Sequence, residues 1–370
     1  MSPKTVQDLS SRVSTSLYKN HSHVRSNFHL FPSHQHLIFT SAFFHLPFFP
    51  TRARSSYTAF YTLIVHILSF TQLSPIFSTA KMKYGSALLL AAFAATNVFA
   101  HGVIDGVQGA NGVNLPGLSL IDDTPRDCAS PRCGSEADTS IIRDRELGTA
   151  KASALGRTQG GGPVDAAAMM ATFMNGAAGN TTATKAAREI HEANLARRYA
   201  NIAARQAGKG TKTPKGTVET GVKAATGMAA QQGMPTTADD GTISMTFHQV
   251  NQDGAGPLKA DIDGTSGGTD PAAFKTAEVT QNVPGIGIGG LSGASTMDFP
   301  VKVQMPAGMT CDANVGGASN VCVARLRNAA LAGPFGGSVA FTQSTAARKR
   351  AVEFNLKKRS ERRSARDFKA

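Results

Sequence analysis

The clearest periodic signal in the chain lies at 243–248, where Ile243, Met245 and Phe247 alternate with Ser244, Thr246 and His248. A period of two puts alternate side chains on opposite faces, so the segment reads as a strand with one apolar and one polar face. Shorter strand candidates follow at 258–263, 299–305, 321–327 and 338–343, with another near the beginning, Val103 to Val107. Clusters of Gly, Asp, Asn and Pro separate them, as turns require. Helical spacing occurs twice. Residues 163–175 carry Pro163 in the first turn and Gly176 after the end. Residues 183–207 place Ala186, Ile190, Leu195, Tyr199 and Ile202 in a rough stripe and stop at Gly208. Residues 208–239 are rich in Gly, Thr, Lys and Pro and read as a loop or linker. The pattern predicts a mainly β chain, an immunoglobulin-like β-sandwich over 101–344, with the helices near 163–207 inserted on its surface.

The region before this domain changes the picture of where the protein starts. Residues 82–100 read as a secretory signal peptide. Lys83 supplies the charge, Leu88 to Phe93 the apolar run, and Val98-Phe99-Ala100 the small residues before a cut. The run is shorter than the ~20 apolar residues that span a bilayer. Residues 1–81 contain no glycine and seven of the ten histidines, and they read as a non-native or disordered extension, with Met82 as the real start. The expected mature chain is secreted, extracellular and begins at His101.

Charge then separates body from tail. The whole chain carries a formal +13, but residues 345–370 hold ten basic and three acidic residues, or +7, and 101–344 come to 20 − 21 = −1. The basicity belongs to a tail of high charge and low apolar content, expected to be disordered, and not to a nucleic-acid-binding face. All four cysteines, Cys128, Cys133, Cys311 and Cys322, lie in the mature part. An even count on a secreted chain implies disulfides, with local pairs or a cross pairing both open. Asn180-Thr181-Thr182 is a glycosylation sequon.

Few residues are left to carry chemistry. The mature body has three histidines, His101, His191 and His248. A histidine at a processed N-terminus offers two nitrogen donors, the α-amine and Nδ1. A second imidazole, supplied by His248, completes a three-nitrogen set that favours copper among first-row metals. It leaves positions open for dioxygen or peroxide. His191 reads as a surface or helix-packing residue. Gly160-Gly161-Gly162-Pro163 lacks the Lys-Ser/Thr of a phosphate loop, no Gly-x-Ser-x-Gly elbow occurs, and Asp253, Asp261 and Asp263 read as turn residues.

The start His101-Gly102-Val103-Ile104 after a signal peptide resembles lytic polysaccharide monooxygenases, which hold copper in a histidine brace. Two longer blocks, Phe247 to Pro257 (FHQVNQDGAGP) and Arg327 to Gly337 (RNAALAGPFGG), are similar to the fungal Egh-sixteen-like family of appressorium-associated virulence factors. That resemblance covers most of 82–345 and implies a role in host penetration. The likeness to the oxygenases implies an aromatic residue beside the metal on a late strand with a glutamine nearby, and Phe341 and Gln343 are the matching candidates. Together these resemblances imply a virulence factor with copper at His101 and His248, acting oxidatively on cell-wall polysaccharide. The alternative is a non-enzymatic factor that binds a wall or host surface. The expected protein is a monomer without a membrane-spanning segment. With no tryptophan and, from His101 onward, only Tyr199, it has no evident flat aromatic platform for a crystalline polysaccharide.

Overall fold

The computed structural model describes residues 101–203, 210–287 and 289–367, with the side chains of 195–203 and of 367 left aside. The extension expected at 1–81 and the signal peptide expected at 82–100 lie outside the described residues. So do the side chains of Leu195, Tyr199 and Ile202.

The strands, in chain order, are β1 (Gly102–Gln108), β2 (Asn114–Pro116), β3 (Ser140–Ile141), β4 (Arg157–Thr158), β5 (Gly162–Pro163), β6 (Thr211–Lys212), β7 (Thr242–Gln249), β8 (Lys259–Asp263), β9 (Lys275–Gln281), β10 (Met297–Gln304), β11 (Ala313–Val315), β12 (Ala318–Arg327) and β13 (Phe335–Phe341). The helices are α1 (Ala166–Met174), α2 (Gly176–Gly179), α3 (Thr182–Ala203), α4 (Gly221–Ala225), α5 (Met228–Gln232) and α6 (Thr345–Asp367). Every strand pair is antiparallel. The main path runs β2-β1-β7-β10-β9-β8-β12-β13-β3-β4-β5, with β6 added on β10 and β11 on β12. The mainly β class is as expected. In place of two separate sheets, however, β9 links β10 to β8, and one continuous sheet curls until β1 meets β13. Gly337 permits that approach, because a Cβ there would lie 2.8 Å from the Ile104 main-chain nitrogen.

The enclosed space is the core. Ile243, Met245 and Phe247 of β7 fill it with Ile104, Val301, Ile262, Leu326, Val339 and Phe341. The side of β7 that reads as polar is buried as well, since Thr246 and His248 are 2% and 0% exposed. Both disulfides are local, Cys128–Cys133 and Cys311–Cys322. Helix α1 starts later than the sequence pattern suggests. Asp165 caps it by accepting from Ala167 and Ala168 nitrogens, while Pro163 sits in β5 opposite Arg157. The segment read as a linker, 208–239, contains β6, α4 and α5. Arg188 of α3 ties α4 down by donating to the Ala224 and Thr226 carbonyls. Among the described residues no helix is long and apolar enough to cross a membrane.

The basic tail, expected to be disordered, is helical from Thr345 to Asp367. Its Ala, Leu, Lys, Arg and Glu are strong helix formers. The Ser344 hydroxyl accepts from the Ala347 nitrogen at the start. Only the first turns touch the body. Ala347 and Ala351 are buried, Arg348 donates to the Cys311 carbonyl and to Asp312, and Asn355 donates to the Gly308 carbonyl. Removing 357–370 should therefore leave the melting temperature unchanged. Removing 345–370 forfeits about 1–3 kcal/mol of hydrogen bonding and burial, a fall of roughly 3–10 °C for a body of this size. Calorimetry of the two truncations checks this. Equal melting would mean that the docked turns contribute nothing.

Candidate functional site

His101 immediately precedes β1 and lies beside β7. Its carbonyl accepts from the Val250 nitrogen at 3.0 Å, and Gly102 stands opposite Gln249. Val103 stands opposite His248. Two residues along each strand return to the same face, so the register puts His101 and His248 on one face as diagonal neighbours. The β1–β7 ladder thus sets these two histidines side by side.

The two nitrogens of His101 turn the same way. The main-chain nitrogen donates to Asn251 Oδ1 at 2.8 Å, and Nδ1 lies 3.2 Å from Glu136 Oε1. Asn251 Nδ2 donates to that same Glu136 oxygen at 3.2 Å. Main-chain nitrogen and Nδ1 thus face one small polar cluster of Asn251 and Glu136. Phe335 covers the ring, with centroids 4.2 Å apart. Burial pushes the Glu136 carboxyl up to about 7, against the opposing hydrogen bond from Asn251.

His248 is oriented by a carboxylate. Its Nδ1 lies 2.8 Å from Asp298 Oδ1, directly across the β7–β10 ladder. With Asp298 engaging Nδ1, Nε2 is the ring nitrogen left to face another partner. That Nε2 is buried and has no hydrogen-bond partner. Metal-bound histidines have this form, with one nitrogen on a carboxylate and the other turned to the ion. Among the described residues no group of three or more His, Cys, Asp or Glu side chains is placed to hold a metal. A site here would need a main-chain nitrogen as its third donor.

The structure does not bring Phe341 and Gln343 to this cluster. Phe341 is fully buried in the core opposite Cys322, and Gln343 bonds the Cys311 nitrogen and the Met309 carbonyl. Phe341 stands six residues from Phe335 along β13, about 20 Å at strand rise. Both residues brace the Cys311–Cys322 end of the sheet. The aromatic residue at the histidine is Phe335, on the same late strand but at its other end. Glu136, Asn251 and Asp298 were also missed. Asn251 stands inside the block FHQVNQDGAGP, whereas nothing in the local sequence marks Glu136 or Asp298. His191 packs as expected, its Nδ1 3.1 Å from the Thr220 hydroxyl. Asp263 accepts from the nitrogens of Thr265, Ser266 and Gly268, and Asp261 pairs with Arg325, so neither is poised for catalysis.

A second buried cluster lies in the segments that follow β2 and β6. Arg126, 0% exposed, bonds Asp138 through both terminal nitrogens and Glu219 through Nε and Nη2. Glu219 in turn accepts from the Thr220 and Gly221 nitrogens ahead of α4. Burial opposes the guanidinium charge, but the two carboxylates outweigh it and push its pKa up.

The Egh16-like virulence factor family matches residues 99–336. "Appressoria-specific virulence factor GAS2" of Pyricularia oryzae is 72% identical over 278 residues, covering 75% of this chain and 95% of the relative. "Appressoria-specific virulence factor GAS1" of the same fungus is 28% identical over 281 residues, covering 75% and 87%. No solved structure matches the chain.

Proposed function

Because the chain belongs to the Egh16-like virulence factor family, we propose that it is a secreted host-penetration factor that holds one copper ion between His101 and His248 and acts at a cell-wall surface. The observation that carries the metal reading is the buried, unpartnered Nε2 of His248, whose ring Asp298 orients through Nδ1. Cleavage after Ala100 would turn the His101 nitrogen into a free amine. That amine and Nδ1 would be the other donors, and three nitrogens suit copper. Bound copper supplies one-electron redox chemistry with dioxygen or peroxide. The chain's own residues then have definite tasks. Asp298 fixes the His248 ring, Asn251 orients the amine, and Phe335 closes one side of the His101 ring. Glu136 keeps a carboxyl that changes protonation near neutral pH beside Nδ1. The two disulfides and the appressoria-specific relatives are consistent with secretion.

A second reading, a non-enzymatic surface factor that stores or is stabilised by the metal, is favoured by burial. His101 is 2% and His248 0% exposed, which restricts access of a polymer chain to the metal.

N-terminal sequencing of secreted protein should begin His-Gly-Val-Ile-Asp. Copper titration followed by electron paramagnetic resonance should give a tetragonal signal. One added residue before His101, or His248→Ala, should each weaken binding at least about tenfold by removing a donor, while His191→Ala should leave it unchanged. Unaltered affinity in both donor variants rejects the copper site. With copper bound, incubation with reductant, peroxide and chitin or glucan separates the two readings. Oxidised oligosaccharides mean an enzyme, and copper without product means a surface factor.

A further inference from the structure

Helix α6 continues well past its contacts with the body. Every residue from Leu356 to Arg366 is exposed. Eleven residues, Lys357 to Asp367, extend it by about 16 Å at helical rise. This projecting piece carries Lys357, Lys358, Arg359, Arg362, Arg363 and Arg366 against Glu361 and Asp367, a net +4. Among the described residues Arg359, Arg362, Arg363 and Arg366 form no ion pair. The cations also repel one another, because Lys358 and Arg362, Arg359 and Arg363, and Arg362 and Arg366 are each one turn apart on the same face. Glu361, one turn from Lys357 and Lys358, offsets only part of this repulsion. A polyanion along it would offset each repulsion with an attraction of its own.

What stands beside the charges selects the kind of polyanion. Five of the six, Lys358, Arg359, Arg362, Arg363 and Arg366, fall on one face about 140° wide, and Lys357 lies off it. An interfacial helix needs an apolar face to bury next to its basic one. Here the exposed apolar line, Val352 and Leu356, ends where the basic segment begins, and the next positions on it are Arg359, Ser360 and Arg363. Of the projecting residues only Ala365 is apolar. A linear chain can lie along such a row of cations without an apolar contact, and carboxylates pair with Arg and Lys in charge-assisted hydrogen bonds. We propose that residues 357–367 bind a linear acidic polysaccharide, of the uronate class, and so tether the neutral body to a carboxylate-bearing wall polymer.

The test uses the secreted chain in metal-free form, so it is independent of the copper reading. Retention is measured on polygalacturonate and on neutral glucan at low salt. The full chain should bind polygalacturonate and not the neutral glucan, and binding should fall steeply between 0.05 M and 0.5 M salt, on the order of the range over which screening becomes short. Truncation at Leu356, or Lys358→Gln/Arg359→Gln/Arg362→Gln/Arg363→Gln, should weaken binding roughly 10- to 100-fold, the sum of four exposed ion pairs. Glutamine keeps helix propensity, so circular dichroism confirms that the four-residue variant remains helical. Binding that survives truncation overturns the proposal. Stronger binding to phosphatidylserine vesicles or to DNA than to polygalacturonate overturns the choice of ligand.

Discussion

Replacing Arg126 with alanine should cost about 3–5 kcal/mol, enough to unfold much of the population at physiological temperature. The guanidinium is fully buried and satisfies two carboxylates at once, Asp138 on one edge and Glu219 on the other. Removing it leaves two acids in a site closed to water. Neither can relax outward, because the Glu219 side chain is fixed by the Thr220 and Gly221 nitrogens and Asp138 accepts from the Ile121 nitrogen. The loss should depend on pH in a defined direction. Buried carboxylates without a cation favour the protonated form. In the variant they bind protons more readily than in the unfolded chain, so its deficit is greatest near pH 7 and shrinks towards pH 4. Arg126→Lys should recover only part of the stability, since an ammonium cannot fork onto Asp138 while reaching Glu219. Chemical denaturation of the three proteins at pH 7 and pH 4 gives the comparison. A loss below about 1 kcal/mol for Arg126→Ala would mean that the triad is not the clamp its geometry implies.

This triad illustrates what the sequence carries and what it does not. Strands β7, β8, β10, β12 and β13 are legible because each alternates or runs apolar between turn residues. Strand β9, Lys275–Gln281, is not, since Ala277 and Val279 are its only apolar residues. The two-residue strands β3, β4 and β5 are too short to have a period. Arg126, Asp138 and Glu219 are scattered over ninety-odd positions, and only the tertiary fold unites them. The histidine pair is partly legible. A histidine behind a signal-like segment and another on a strand can be found by inspection. Asp298 cannot, because its role comes from the β10 register opposite His248. The late-strand aromatic expected at Phe341, beside Gln343, is a core residue. The residue against His101 is Phe335, at the strand's entry. The tail was misread for a different reason. Low apolar content argues against a core position, yet a capped run of good helix formers needs only its first turns to dock.

Substituting Gly254 with alanine should disturb His101 more than any change at a polar residue nearby. Gly254 belongs to the block FHQVNQDGAGP, where the sequence gives no hint of why a glycine stands there. The structure supplies the reason. A Cβ on Gly254 would lie 1.9 Å from the His101 carbonyl oxygen and 2.6 Å from its carbonyl carbon, both main-chain atoms that cannot swing aside. That carbonyl accepts from Val250, and the Gly254 nitrogen bonds the Asn251 carbonyl. Asn251 in turn holds the His101 nitrogen at 2.8 Å. Making room for one methyl group therefore moves the end of β1, the turn at Asn251, or both. Overpacking of this kind costs about 1–3 kcal/mol and often more against backbone. The same displacement shifts the main-chain nitrogen and Nδ1 of His101 together, so copper affinity should fall along with the urea midpoint. Gly293→Ala is the matched control, since a Cβ there meets nothing within 4 Å. It should leave both measurements near wild type. If Gly254→Ala keeps the wild-type midpoint, the carbonyl of His101 does not lie against this turn. If the midpoint falls while copper affinity holds, His101 does not ligate through the nitrogens that Asn251 and Glu136 now engage, and the surface-factor reading gains.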